Sequence, residues 1–374
     1  MRVQLVDPSA YTPPYDRALA AALARAGAEV ELLTSRFLYG PVPEAEGYDV
    51  RYSFYRRTAG RGLDAPARRA FKLAEHLPDM VRLRGAMGGA DVVHYQWLTL
   101  PALDSLILPT SRGRPRVMTA HYVLPPDPSR RQLFSARRAF GSMDAVIAHS
   151  EFGAGRLRDE VGIDPGRVRV IPHGAFDYLT RLPDPAPLPP ELGESEGPVI
   201  LFFGLLRPYK GIETLIEAFA RLEGAELWIV GNPRMPLTPL RELGARARGT
   251  VRFVPRFIDD SEIPALFRRA DIVALPYRDA EHSGVVYTAL AFGKPMVLSS
   301  VGGFPEIAEH GAARIVAAED PGELARTLAE LTSDSAVRAE LAEAACRAAK
   351  GPYSWDAVAS QTLQLYRELA PARR

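Results

Sequence analysis

Short apolar runs alternate with amphipathic stretches along most of this chain. The first run, Arg2–Val6 (RVQLV), passes through the proline-rich SAYTPPYD into RALAAALARAGAEV, where Leu19 and Leu23 recur at helical spacing before Gly27. EVELLT then alternates as a strand. The same beat returns at Ala90–Tyr95 (ADVVHY), Arg116–His121 (RVMTAH), Asp144–Ser150 (DAVIAHS) and Arg167–Gly174 (RVRVIPHG), with a helix expected from about Glu151. Strands and helices of these lengths in alternation predict a mostly parallel sheet covered on both faces.

The pattern breaks at residues 182–198, LPDPAPLPPELGESEGP. Pro183, Pro185, Pro187, Pro189 and Pro190 cannot build a buried strand or a helix interior, so an interdomain linker is expected there. A second alternating set follows at once: PVILFFG, a helix from Gly211, ELWIVG, a helix near Leu237–Ala245, VRFVP, a helix near Ser261–Arg269, DIVALPY, a helix near Gly284–Phe292, and KPMVLS. Amphipathic helices over Pro321–Lys350 and Trp355–Leu369 end the chain. The pattern predicts an α/β protein of two consecutive Rossmann-like, doubly wound domains, 1–181 and 199–350, with the ligand in a central cleft outside the strand C-termini.

Composition narrows this picture. At 374 residues the chain is long enough for two domains of roughly 100–200 residues each. No apolar run reaches the roughly 20 residues a spanning helix needs, and MRVQLVDPSA lacks a charged-then-apolar signal segment, so a cytoplasmic protein is expected. The single cysteine, Cys346, excludes an internal disulfide framework and any cysteine-based zinc cluster. Net charge is +1, yet residues 51–140 carry sixteen Lys/Arg against six Asp/Glu, a local balance of +10. Paired arginines (Arg56-Arg57, Arg68-Arg69, Arg130-Arg131, Arg137-Arg138) lie near Phe54, Tyr55 and Phe134. Such a region suits an anionic membrane surface or an anionic acceptor; the alternative is a set of solvated helix faces in an arginine-rich protein.

Two stretches carry the chemistry. In FFGLLRPYKG (Phe202–Gly211) a buried strand ends at Gly204, whose missing side chain lets backbone approach a ligand. Arg207 and Lys210 follow just before a helix, an arrangement suited to a diphosphate. In AEHSGVVYTALAFGKPMVLSSVGGFPE (Ala280–Glu306), Ser283-Gly284 suits a helix N-cap whose backbone N–H groups hold phosphate oxygens.

Together these stretches resemble the retaining glycosyltransferases of GT-B fold, family 4 type, and the resemblance covers nearly the whole chain. It implies transfer of a sugar from a nucleotide-diphosphate donor, a UDP- or GDP-sugar, to a hydroxyl of a glycan or lipid-linked acceptor, with no cofactor, no metal and no nucleic acid. It assigns Arg207 and Lys210 to the diphosphate, and Ser283, Gly284 and Val285 to phosphate contact. Gly231 and Asn232 in WIVGNP, and Arg256, Phe257 and Ile258 in VPRFIDD, match stretches that line the nucleotide. VMTAHYVLP resembles the loop whose histidine approaches the donor sugar, which points to His121 as catalytic beside Arg207 and Lys210. YSWDAVASQTLQLY fits the helix that crosses back to the first domain, so 351–374 is expected to do so.

The chain departs from the family at two places. Members often carry two glutamates in an E-x7-E pattern; alignment on Gly293-Lys294-Pro295 puts Ala280 and Thr288 there, with Glu281 one residue out of register. The first loop, where a glycine pair is common, reads SAYTPPY. Thr288 and Glu281 are therefore expected to serve the donor differently, and His282 beside them could reach it. His94 and His149 read as satisfied structural groups, and His173 as part of a turn near the domain junction. No histidines show metal-ligand spacing such as H-E-x-x-H. Two other readings remain open on this fold: a nucleotide-sugar epimerase or sugar phosphorylase, and a nucleotide-sugar-binding protein that has lost catalysis. A dinucleotide oxidoreductase is disfavoured, since neither domain begins with G-x-G-x-x-G.

Overall fold

The computed structural model describes residues 1–38, 40–42, 44–58, 65–86, 89–108 and 114–370. Its contacts divide the chain into two units, one of residues 1–174 and 355–374, the other of residues 175–354.

The first unit is built on seven strands: β1 (Arg2–Asp7), β2 (Glu29–Thr34), β3 (Asp49–Tyr52), β4 (Val92–Tyr95), β5 (Arg116–Ala120), β6 (Ala145–Ala148) and β7 (Val168–Val170). All pair in parallel, in the order β3-β2-β1-β4-β5-β6-β7. Along β1 the side chains alternate between two cores: Val3 and Leu5 join one cluster of buried residues and Val6 the other. A strand covered on both faces needs apolar residues at successive positions, which is why RVQLV reads as an unbroken run. The second unit repeats the arrangement with six parallel strands: β8 (Val199–Phe203), β9 (Glu226–Val230), β10 (Thr250–Val254), β11 (Ile272–Leu275), β12 (Met296–Ser299) and β13 (Ala313–Val316). Their order is β10-β9-β8-β11-β12-β13. In both units the order reverses direction beside the first strand, between β1 and β4 and between β8 and β11. Ligands of doubly wound sheets bind at such switch points.

The proline-rich segment does not lie between the units. The chain divides at Gly174/Ala175, and residues 182–198 belong to the second unit, where Leu192 is fully buried and the Ala186 N–H donates to the Ser261 carbonyl at 2.8 Å. Prolines there keep the backbone extended over a core instead of freeing it. The expected helix over Pro321–Lys350 is two helices, Pro321–Ser333 and Ser335–Lys350. Asp334 separates them, its carboxylate accepting the N–H groups of Ala336 (2.9 Å) and Val337 (3.1 Å) as an N-cap.

The last helix, Trp355–Leu369, belongs to the first unit and packs on the helix Pro13–Arg25. Gly174 is required where it starts: a Cβ there would lie 2.4 Å from the Trp355 indole. Further along, the buried Tyr366 hydroxyl meets His94 Nδ1 at 2.6 Å, while His94 Nε2 meets Thr119 Oγ1 at 2.7 Å. Burial pushes the His94 pKa down from 6.5 to about 3. Below about pH 6.5 the unfolded chain therefore binds a proton that the folded chain refuses until about pH 3. This contribution to stability is complete above pH 6.5 and is lost as pH falls, with a slope of at most about 1.4 kcal/mol per pH unit. Urea midpoints of wild type and His94→Gln between pH 4 and 7.5 test this. The variant is expected to be less stable at pH 7 and to show a shallower acid slope; equal slopes would remove His94 as the cause.

Candidate active site

The strongest assembly of polar groups in the second unit sits at its switch point, after β8 and β11. Gly204 ends β8 with φ +114°, and a Cβ on it would approach Lys210 Nζ at 3.3 Å and Val285 Cγ2 at 3.4 Å. The absence of that atom lets the loop 204–211 and the helix Gly284–Ala291 close on one point. Gly211 turns the chain at φ +65° into the helix Ile212–Phe219, its Cα facing the Pro276 carbonyl so closely that a Cβ would stand 1.9 Å from the oxygen.

Lys210 is buried at this point. Its Nζ donates to the Tyr277 hydroxyl at 2.7 Å, and that hydroxyl lies 3.3 Å from Ser283 Oγ. Ser283 in turn caps the helix, its Oγ accepting from Val285 N–H at 3.3 Å. A single hydrogen-bonded chain thus joins the Arg/Lys loop to the helix N-terminus. Desolvation first, and the Arg207 charge second, lower the Lys210 pKa from 10.5 to about 8. Arg207 itself is exposed, and among the described residues neither cation forms an ion pair with a carboxylate. A site with two cations, one of them destabilised by burial, and a helix N-terminus is prepared for an anion.

The remaining residues expected at the donor divide. Gly231 ends β9 with φ +145° against Gly204, and Asn232 continues the contact, its carbonyl accepting Leu206 N–H at 3.0 Å. Phe257 is exposed and Gly284 presents backbone at the helix start. The Arg256 guanidinium, partly exposed, is held in a two-pronged pair with Glu262, at 2.9 and 2.6 Å, and Ile258 is part of the core. Thr288 is likewise turned inward, its hydroxyl donating to the Gly284 carbonyl at 3.1 Å one helical turn back. Glu281 is buried, and its carbonyl accepts Gly303 N–H at 3.0 Å; the His282 ring lies 6.3 Å from that of Tyr287. Tyr277, central to the network, was not singled out in the sequence, where it reads only as the end of DIVALPY.

In the first unit His121 follows β5 and is buried. Its Nε2 meets Gln96 Oε1 at 3.0 Å, and its Nδ1 lies 3.4 Å from His149 Nε2. The Trp97 ring stacks on it at 5.2 Å and the Tyr15 ring meets it edge-on at 4.6 Å. The same Tyr15 ring touches His149, His173 and Trp355. His121, His149 and His173 thus surround one tyrosine at the carboxyl edge of the sheet. Sequence spacing separates them by 28 and 24 residues, one strand–helix unit apart each time, which is the signal that would have grouped them. Among the described residues no set of three or more His, Cys, Asp or Glu side chains is arranged to hold a metal.

Comparison with known proteins assigns this architecture. The family described as Glycosyltransferase Family 4 matches residues 17–175, and that described as Glycosyl transferases group 1 matches residues 197–334. A protein of Salinispora arenicola named D-inositol 3-phosphate glycosyltransferase is 30% identical over 77% of this chain and 70% of its own length. The chain belongs to the group 1 glycosyltransferases. Among solved structures, sucrose-phosphate synthase from Thermosynechococcus elongatus aligns with this glycosyltransferase at a TM-score of 0.75 and 22% identity, over 99% of each chain. Alr3699/HepE of Anabaena, crystallised with UDP-glucose, aligns at 0.72 and 21% identity, over 98% of this chain and 100% of that one. The fold is GT-B: two Rossmann-like units in one polypeptide.

The Lys210 environment makes anion binding depend on pH in a defined direction. A bound diphosphate favours the ammonium form and raises a pKa that stands at about 8 in the free protein. Affinity for UDP is thus expected to be full below pH 8 and to fall as pH rises above it. Titration calorimetry from pH 7 to 9.5 should show proton uptake on binding near pH 8, and Lys210→Arg, which keeps its charge, should flatten the profile. An unchanged profile in that variant would exclude Lys210 from the anion site.

Proposed function

We propose that this glycosyltransferase takes its sugar from a nucleotide-diphosphate sugar held by the second unit and passes it, with retention of anomeric configuration, to an acceptor hydroxyl held by the first. The observation that carries this reading is the Lys210–Tyr277–Ser283 chain, which sets a buried cation beside a helix N-terminus. The HepE crystals with UDP-glucose support a UDP-sugar as the donor class. In this scheme, Arg207, Lys210 and the helix N-terminus at Gly284 stabilise the negative charge that loss of the nucleoside diphosphate creates. His121, oriented by Gln96, is the group proposed to face the anomeric centre. No divalent ion is required in this scheme.

The test is turnover of UDP- and GDP-sugars, with and without excess EDTA, by wild type and Arg207→Ala. Arg207 is exposed, so its truncation leaves no cavity; a loss of ~10²–10³ in rate at unchanged melting temperature is expected. Near-normal turnover in the variant, or a requirement for magnesium in wild type, would overturn the corresponding part of the proposal. NMR of the product fixes the anomeric outcome, and conversion of donor without acceptor would indicate an epimerase instead.

We also propose that the enzyme works at the cytoplasmic face of an anionic membrane, on a lipid-linked or glycan acceptor. Among the described residues no helix is long and apolar enough to cross a membrane. The helix Ala65–Ala86, however, turns apolar residues outward: Phe71, Leu73, Leu77 and Val81 are 40–57% exposed. Its inner face carries His76, bonded to Asp104 at 2.6 Å and to the Tyr55 hydroxyl at 2.8 Å, and Asp79, bonded to Tyr55 N–H. Leu106 and Phe134 are exposed as well, and Arg82, Arg130, Arg131 and Arg138 are open to solvent. Phe54 and Tyr55 are not part of this surface, since both are buried beneath it, and the side chains of Arg68 and Arg69 lie outside the described residues. A helix with an apolar outer face and exposed basic neighbours suits an interfacial position. Flotation with vesicles of rising anionic lipid content should show salt-sensitive binding, at roughly 1 kcal/mol per basic residue engaged. Phe71→Ser with Val81→Ser should weaken it; absence of wild-type binding at every composition would make this a solvated face.

A further inference from the structure

We propose that residues 178–192, most of them in the proline-rich segment, brace the loop 255–262 so that it recognises the nucleoside half of the donor. The inference rests on the reading of the second unit as the nucleotide-sugar site. It adds the residues that position this loop, and it gives the proline-rich segment a task.

The loop follows β10, an edge strand two places from β8 in the sheet. Neighbouring strands lie roughly 4.8 Å apart, so the loop begins roughly 10 Å from the end of β8 and its Arg/Lys loop. Between the two, β9 ends in Gly231, where a Cβ would stand 1.8 Å from the Gly204 carbonyl, so no side chain rises there. A diphosphate beside Lys210 leaves its ribose and base this backbone floor, which leads to the loop.

What the loop presents is one ring and a set of backbone groups. Phe257 is 56% exposed. Among the described residues the N–H groups of Phe257 and Ile258 and the Ile258 carbonyl have no hydrogen-bond partner, although Ile258 is buried. Backbone groups of buried residues are nearly always paired, so donors and an acceptor left over beside an exposed ring suit the edge and face of a planar base. Recognition by backbone is only as selective as the loop is fixed.

The fixing comes from the segment that precedes β8. Tyr178, in the short turn Asp177–Arg181, donates its hydroxyl to Asp260 Oδ2 at 2.7 Å. The Ala186 N–H donates to the Ser261 carbonyl at 2.8 Å, and the Glu191 carboxylate lies 3.8 Å from Arg256 Nε. Arg256, paired with Glu262, also donates to the Phe257 carbonyl at 3.1 Å. That carbonyl belongs to the same peptide group as the Ile258 N–H, so the arginine sets the direction in which the N–H points. The brace itself is anchored by Pro189 and Leu192, both buried, and its prolines have little backbone freedom to lose.

The experiment is titration calorimetry of the full chain with UDP, GDP and pyrophosphate. Wild type is expected to bind one of the two nucleotides at least tenfold tighter than pyrophosphate. Tyr178→Phe and Asp260→Asn each remove or weaken one brace contact, and Ala186→Pro deletes one N–H from a segment already rich in proline. Each should weaken that nucleotide at least threefold and leave pyrophosphate unchanged, the latter showing that the second unit is folded. Equal loss of both ligands would overturn the proposal, since the contacts would then serve the fold alone. Variants that bind the nucleotide like wild type would overturn the brace and leave the donor reading standing. Wild type that binds UDP and GDP no more tightly than pyrophosphate would overturn the nucleotide reading, and the brace with it.

Discussion

The donor side of this enzyme depends on backbone meeting backbone. A Cβ on Gly231 would stand 1.8 Å from the Gly204 carbonyl, one on Gly211 1.9 Å from that of Pro276, and one on Gly302 1.5 Å from that of Ala280. At all three positions φ is also positive, so a side chain is refused by both the space and the backbone. These contacts draw the ends of β8, β9, β11 and β12 to one place, and only then can Lys210 reach Tyr277 and Ser283. The chemistry is thus secondary to a steric condition: remove the glycines and no choice of side chains restores the convergence.

Much of this was legible in the sequence, for a physical reason. Strands buried on both faces leave unbroken apolar runs, so β1, β4, β8, β9 and β11 announce themselves. One edge strand of each sheet does not: in β3 no residue is buried, and in β13 only Ala313 and Val316 are. Residues 49–52 and 313–316 accordingly escaped the pattern. The proline-rich segment misled because proline content reports local stiffness and says nothing of what the stiff segment lies on.

The site was legible in part. Glycine, arginine and lysine at strand ends signal an anion loop because their roles depend on backbone freedom and fixed charge. Hydroxyls and guanidiniums that have a choice of partners are harder. Arg256 is taken by Glu262 six residues on, and Thr288 by its own helix, and neither preference is visible before the neighbours are placed. Tyr277 was missed for the converse reason: it joins Lys210 from one loop to Ser283 at the start of the next helix.

The return of the final helix to the first unit sets an order on biosynthesis. Residues 175–354 form a continuous stretch with a core of their own, free to fold as soon as they have emerged. The first unit leaves the ribosome earlier yet lacks Trp355, Val358, Leu363 and Tyr366, which belong to one of its two cores. Until they arrive, the helix Pro13–Arg25 and the buried His94 lack the partners that cover them. The half of the protein made first is therefore the half completed last, and a nascent chain must carry an unfinished sheet across the whole synthesis of its neighbour.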